Sequence, residues 1–352
     1  MLSVATRPND RKREQNVPSR GAPRPGARPA ALLAVRLSPA DAGRRVSIRH
    51  RLDDDGLTDV VGRLTDWSGG WAGALEVERR DATVVAVPAA RVVAAKVVPP
   101  EMSAEAMQAV AQAGWPPDET AQIGDWTLRA SGGVTGRANS VRVAGRPGAP
   151  LDEALDQVAR WYADRGLPPL VQVPVPSAYD DDLAARGWVV ARRTVLRTAA
   201  TTAVRRLAMP RDGVVVERSA TPAREWLELV EPDLDPDTLT RILVRPSEVV
   251  FATARDAATG QLLGTGRASA AGSAVGRWAG VTSILTAPAA RRRGVARAVM
   301  GELAAWAEEN RCPGTYLQVL ATNDAAHALY DTLGFDLHHA YEYRSPARVS
   351  PR

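Results

Sequence analysis

The chain has a single cysteine, Cys312, so no internal disulfide can form, and a reducing compartment is its natural setting. Cys312 itself reads as an inert thiol near the end of a helix. No apolar run approaches the ~18 residues that a membrane-spanning helix requires, and Ala31 to Val35 is too short for the core of a signal peptide. Neither export nor membrane insertion is expected, and the default location is cytoplasmic. Histidine is scarce, and His327, His338 and His339 have no second set of ligand types around them, so no metal site is expected. Lysine is almost absent. Lys12 and Lys96 are the only two, so arginine supplies nearly all of the 45 basic residues. Those arginines are spread along the chain, often beside acids. The net charge of +5 thus matches the Ala-, Val- and Arg-rich coding bias of a GC-rich bacterial genome, and no nucleic-acid partner is expected.

With 352 residues, 45% of them apolar, the chain is long enough for two or three domains with their own cores. Residues 1–37 are rich in Arg, Pro and Gly and read as a disordered tail. Residues 38–100 become β-like: Arg45 to His50, Asp59 to Leu64, Ala74 to Glu78, Thr83 to Val87, and Val92 to Val98. Strands of about five residues between Gly and Asp turns predict a small SH3-like β-barrel. Such a barrel serves either as a binding module for peptide or nucleic acid or as a scaffold that packs on a catalytic domain.

In residues 118–206, Leu151 to Arg165 is amphipathic and Gly166 stops it. A strand at Leu170 to Val173, a helix around Asp180 to Arg186, Gly187-Trp188 and a strand to Leu196 follow. The same layout returns later as Tyr316 to Val319, Ala325 to Leu333, Gly334-Phe335 and a strand through Tyr343. Upstream, Gly132 to Ser140 reads as a Gly-rich turn feeding a strand, with Thr135, Arg137 and Asn139 on one face. That cluster suits a carboxylate held bidentately by Arg137; the alternative is a turn whose arginine pairs a neighbouring acid.

Residues 207–345 read as strand, two helices, hairpin, strand, helix, strand, helix, strand. Their centre is Val281 to Trp306. A β-rich run ends at Pro288, and Val295, Val299, Leu303 and Trp306 then share a helical face. Between the two elements, Arg291-Arg292-Arg293-Gly294-Val295-Ala296-Arg297 places consecutive backbone N–H groups at a helix start, where they can converge on one anion. The arginines add positive charge that does not titrate away.

The stretch Pro288 to Ala296 resembles the R/Q-x-x-G-x-G/A loop that grips the pyrophosphate of acetyl-CoA in the GNAT superfamily of N-acetyltransferases. Asn323 to Phe335 resembles that family's N-x-x-A-x-x-L-Y-x-x-L-G-F segment nearly letter for letter, and the two motifs stand in the family's order. The resemblance implies an α+β fold: a GNAT mixed sheet flanked by helices, in tandem, with the first copy (118–206) degenerate and the second (207–345) catalytic. Two prolines at Gly145 to Pro150 remove N–H donors where the first copy would need its loop, so that copy is not expected to bind CoA.

The resemblance also assigns roles. Residues 291–297 would hold acetyl-CoA, and backbone groups of Ile284, Leu285 and Thr286 would pair with the pantetheine arm, with Leu285 or Thr286 touching the thioester oxygen. Asn323 is a helix N-cap and a further pantetheine contact. Tyr330 matches the tyrosine near the CoA sulfur, a general acid or else only a packed aromatic. No carboxylate lies on the run Arg277 to Thr286, which leaves Glu217, the acids of 231–237, Glu248, Glu342 or a water relay as base.

As a whole the chain resembles three-part actinobacterial GNAT proteins, some of them described as N-acetylglutamate synthases. The implied function is acetyl transfer to a primary amine of a small molecule, such as glutamate, or of a protein; Arg137 and Asn139 are the candidate substrate contacts. The alternative is a non-catalytic acyl-CoA-binding or interaction protein. The acceptor and the oligomeric state are open.

Overall fold

The computed structural model describes residues 35–347, except 54, 55, 68, 80, 210, 211, 274 and 275. Nearly all of the expected tail lies outside the described residues. Two compact units divide at Lys96.

The first unit carries β1 (Val35–Arg36), β2 (Arg45–Arg51), β3 (Leu57–Asp66), β4 (Ala74–Glu78), β5 (Val84–Pro88) and β6 (Val92–Val97). They form a six-stranded sheet in the order β1-β6-β2-β3-β4-β5. Alternate residues of β2 and β3, among them Val46, Ile48, Val60 and Leu64, are buried, which is the period-two pattern that a sheet with one inward face demands.

The second unit begins with α1 (Ala104–Ala113), which the sequence reading left unassigned, then β7 (Glu119–Ile123), β8 (Trp126–Ala130), β9 (Val141–Arg142), α2 (Leu151–Ala163), β10 (Val171–Val175), α3 (Ala178–Ala185) and β11 (Trp188–Ala200). It continues with α4 (Thr201–Leu207), also unforeseen, β12 (Val214–Ser219), α5 (Arg224–Val230), α6 (Pro236–Leu243), β13 (Val249–Asp256), β14 (Leu262–Ser273) and β15 (Gly276–Thr286). Last come α7 (Val295–Glu309), β16 (Gly314–Leu320), α8 (Asp324–Thr332) and β17 (Asp336–Pro346).

One eleven-stranded sheet runs through this unit in the order β12-β13-β14-β15-β16-β11-β17-β10-β9-β8-β7. The two strand–helix–strand repeats, β10–α3–β11 and β16–α8–β17, exchange their last strands. β11 lies antiparallel against β16, from Thr194 opposite Leu320 to Ala200 opposite Gly314, and β17 lies antiparallel against β10. β11 and β17 also pair with each other, so the two repeats share one continuous ladder.

On one face, α7 packs Val295, Val299 and Leu303 against Val281, Leu317 and Val319. On the other, α1 packs Met107 and Val110 against Leu196, Trp278 and Tyr316. The stretch 132–140 differs from the expected turn and strand. Gly132 and Gly133 both adopt left-handed φ, and the Asn139 amide winds the chain into a loop, so strand geometry resumes only at Val141.

Arg197, on β11, reaches into the second repeat. Its guanidinium donates to the Asp331 carboxylate and, at 2.6 Å, to the Phe335 carbonyl, at the end of α8. The same helix end is closed by a Schellman pair, Phe335 N–H to Tyr330 O at 3.0 Å and Gly334 N–H to Asp331 O at 3.2 Å. Loss of hydrogen bonds from a buried charged donor costs roughly 1.5–3 kcal/mol. Arg197→Ala is therefore expected to lower the urea midpoint by an equivalent amount; an unchanged midpoint would show that the first repeat does not brace α8.

Candidate active site

β15 and β16 run parallel and are paired only from Trp278/Gly314 to Val281/Leu317, although β15 continues to Thr286 and β16 to Leu320. On its other edge β15 keeps its partner β14, but through an irregularity. Thr265 faces Leu285 and Arg267 faces Thr282, so Gly266 stands opposite both Ser283 and Ile284. Ser283 takes a left-handed φ of 55° there. A bulge of this kind bends its strand, and here it turns β15 away from β16, opening a gap lined by backbone groups. Ile284 packs into the α7 core, Leu285 is 38% exposed, and Thr286 ends the strand.

At the end of β15 the chain makes a 3-10 turn over Pro288–Ala290 and enters α7. Arg292 (φ 63°) and Gly294 (φ 81°) are both left-handed, which coils the loop so that successive N–H groups point the same way. None of the amides from Arg292 to Arg297 has a backbone acceptor among the described residues. With the dipole of the 15-residue α7 behind them, they form an anion cradle. Gly294 tolerates its φ without the strain a Cβ would bring. The arginine side chains divide. Arg291 and Arg292 are exposed and have no ion-pair partner among the described residues. Arg293 pairs with Asp256 at 3.0 Å, and Arg297 is pinned to the Leu207 carbonyl and the Thr332 hydroxyl, each at 2.7 Å. Arg293 and Arg297 thus offer an anion their backbone amides; their guanidinium groups are engaged elsewhere. These features fit a CoA pyrophosphate.

α8 begins with the Asn323 side chain accepting from Ala326 N–H at 3.1 Å, a standard N-cap. One face of the helix packs Tyr330 with Phe335 into the core beneath α7. The Tyr330 hydroxyl has no hydrogen-bond partner among the described residues, and burial pushes its pKa up to about 12, against a smaller downward pull from Arg197. It is protonated throughout the neutral range, as a proton donor must be.

On the face of the sheet opposite α7, a cavity of about 160 Å³ lies beside the part of β16 that has left β15. Arg137, Arg192, Thr194, Gln318, Tyr341 and Tyr343 line it. Cross-strand register explains the company: Arg192 stands opposite Tyr343 and Thr194 opposite Tyr341, so all four side chains leave the sheet on the same side. Arg137 stacks on Trp115 at 5.1 Å and Arg192 on Tyr343 at 4.1 Å. Trp115 also carries Arg267, a fully buried guanidinium bonded only to neutral groups, whose pKa burial draws down to about 9, leaving it charged at neutral pH.

Asn139 does not join Arg137 in this cavity. Its oxygen accepts from Ser131 N–H at 2.7 Å and Gly133 N–H at 2.9 Å, and its amide donates to the Thr135 and Ser131 carbonyls. With all four positions used, it shapes the loop and has nothing left for a substrate. Three of the carboxylates considered as base are held in ion pairs: Glu217 with Arg255, Glu248 with Arg277, and Glu342 with Arg344 and Arg193. Asp235 caps α6. Sequence reasoning missed Trp115, Arg192, Gln318, Tyr341 and Tyr343, because no local pattern announces residues gathered by strand exchange.

The sequence profile of a family described as "Probable histone acetyltransferase Rv0428c C-terminal" matches residues 104–344, and that of "Rv0428c N-terminal Sm-like domain" matches 40–96. The small β domain expected to be SH3-like is thus Sm-like. An uncharacterized N-acetyltransferase of Bacillus subtilis (strain 168), YobR, is 26% identical over 246 residues, 68% of this chain and 96% of that protein. A GCN5-related N-acetyltransferase from Kribbella flavida superposes with a TM-score of 0.55 at 14% identity, covering 70% of this chain and 96% of that one. A tandem GNAT protein from the clavulanic acid biosynthesis pathway does so with a TM-score of 0.51 at 14% identity, covering 72% and 91%. At these identities the structural likeness speaks for the fold alone. No helix among the described residues is long and apolar enough to cross a membrane.

A folded-state pKa of about 12 against the ordinary 10.0 means that the stability from Tyr330 burial is fully present below pH 10 and is lost as pH rises through 12. The ultraviolet titration difference between the wild type and Tyr330→Phe is expected to have its midpoint near pH 12; a midpoint near 10 would show an accessible phenol.

Proposed function

Because the chain belongs to the Rv0428c C-terminal acetyltransferase family, whose relatives are GNAT N-acetyltransferases, we propose that it transfers the acetyl group of acetyl-CoA to a primary amine at the gap between β15 and β16. The observation that carries this reading is the junction of three things: a strand pair that parts, an unbonded run of amides at the start of α7, and a buried, protonated Tyr330 on the next helix. In this reading the amides of Arg292 to Arg297 take the pyrophosphate, with Arg291 and Arg292 adding charge. Ile284, Leu285 and Thr286 offer backbone partners to the pantetheine arm, with Asn323 beside it.

The chemistry balances as follows. The lone pair of the neutral amine forms an N–C bond to the acetyl carbonyl carbon, and the C–S bond breaks with its electron pair on sulfur. The Tyr330 hydroxyl gives that sulfur its proton and is reprotonated from solvent, and the proton shed by the amine leaves through solvent; Glu217, Glu248 and Glu342 are held in ion pairs and Asp235 in a cap. Positioning of the two reactants supplies much of the rate. A protein lysine as acceptor is the second reading, favoured by the family's description as a probable histone acetyltransferase.

Two outcomes are expected. Tyr330→Phe keeps the ring and its packing, so kcat should fall by about 10²–10⁴, the range for loss of a general acid, with acetyl-CoA affinity intact; an unchanged kcat leaves Tyr330 a packed aromatic. The double substitution Arg291→Ala and Arg292→Ala should weaken acetyl-CoA about tenfold at low salt, and the deficit should shrink at high salt, because both charges are exposed and screened. Calorimetric titration at two ionic strengths decides it; equal affinity of both proteins at low salt would remove these side chains from the site.

A further inference from the structure

The cavity on the α1 face is assembled from hydrogen-bond donors. Arg137 and Arg192 have no carboxylate partner among the described residues, and no acidic side chain lines the space. Their guanidinium planes rest on Trp115 and Tyr343, which fixes their orientation while leaving the N–H edges available. Arg192 lies so close to the 135–137 loop that a Cβ at Gly136 would come within 1.5 Å of its Nη2, so the two arginines converge. Gln318 adds a third donor. Its Oε1 accepts from the Tyr341 hydroxyl, and its Nε2 is buried with no acceptor. Against Trp115, Arg267 contributes a buried charge with no carboxylate partner among the described residues. A buried donor without an acceptor costs about 1–3 kcal/mol, so the Gln318 Nε2, flanked by the half-buried Arg137 and the exposed Arg192, calls for a ligand that brings acceptors. A lysine-rich peptide brings the wrong sign.

Resting on the acetyl-transfer reading above, we propose that the acceptor amine also carries an oxyanion, a carboxylate or a phosphate, which this cavity holds between Arg137, Arg192 and the Gln318 amide. Gln318 and Leu320 belong to the stretch of β16 beyond Leu317, so the cavity opens beside the gap where the amine must attack. At about 160 Å³ it is smaller than the roughly 300–1,000 Å³ of pockets that enclose drug-sized ligands, which suits an amino acid or an amino-sugar phosphate. The oxyanion takes no part in the bond changes. It anchors the molecule and leaves its nitrogen free.

The test is steady-state thiol release by the full chain with acetyl-CoA and matched acceptors: amino acids against their amides, phosphorylated amino sugars against the unphosphorylated ones, and a lysine-rich histone-tail peptide. At least one oxyanion-bearing amine should exceed its neutral partner about 100-fold in kcat/KM, and Arg137→Gln or Arg192→Gln should erase most of that preference while leaving the acetyl-CoA Kd unchanged. The amino-acid and amino-sugar arms separate carboxylate from phosphate. Neutral amines or the histone peptide matching or outrunning every oxyanion-bearing amine would overturn the inference, as would a preference that survives both substitutions. Calorimetry with acetyl-CoA alone separates the two levels: absent binding sinks the acetyl-transfer reading, whereas tight binding with no gain from an oxyanion sinks only this one.

Discussion

Backbone amides and carbonyls inside a sheet must find partners, and where β15 leaves β16 beyond Val281 and Leu317 neither strand has one to offer the other. The bulge at Ser283 forces that departure, and the remaining ladder from Trp278 to Val281 keeps the two strands in one sheet up to the point of parting. Around this defect the other parts take their places. α7 starts just past the end of β15 and packs its first turns against the core beneath it. α8 follows β16 directly and carries its buried tyrosine into the same core. A ligand arm with amides and carbonyls of its own is the natural filling for such a gap, and the acetyl-transfer reading rests on that fit.

The second constraint is the exchange of strands. A sheet that ended at β16 would leave that strand's outer edge bare; β11 covers it, and β17 covers the edge of β10 in return. Arg197 shows the exchange at the level of one side chain: it belongs to the first repeat and fastens the end of the helix that carries Tyr330. The donor-lined cavity has the same origin. Arg137 comes from the loop before β9, Arg192 from the first repeat, and Gln318, Tyr341 and Tyr343 from the second, and the shared ladder brings the last four to one place.

This division explains what could be read from residues alone. The elements of 207–345 and the loop at 291–297 are local: turn chemistry, helical spacing and two contiguous motifs mark them, and the elements follow the expected order. The Tyr330 environment was half legible, since its motif names the residue but says nothing of the burial that raises its pKa. Asn139 misled, because strand-like alternation and a wound Gly-rich loop place a polar residue every second position alike; only the hydrogen bonds separate them. α1 escaped because half of it is alanine, and α4 because its seven residues are too few for a helical period to register. Arg192 stood unremarked in Ala191-Arg192-Arg193, and its importance lies wholly in the register of β11 against β17.

The exchanged ladder also bears on how such a chain can change over generations. A duplicated copy that has lost its own anion loop would ordinarily be free to erode or be deleted. Here the first repeat owns β11, the strand that borders β16, so most of its surface can drift while β11 stays tied to the second repeat. The redundancy has become a dependency: cutting the chain between the two repeats would bare an edge of each.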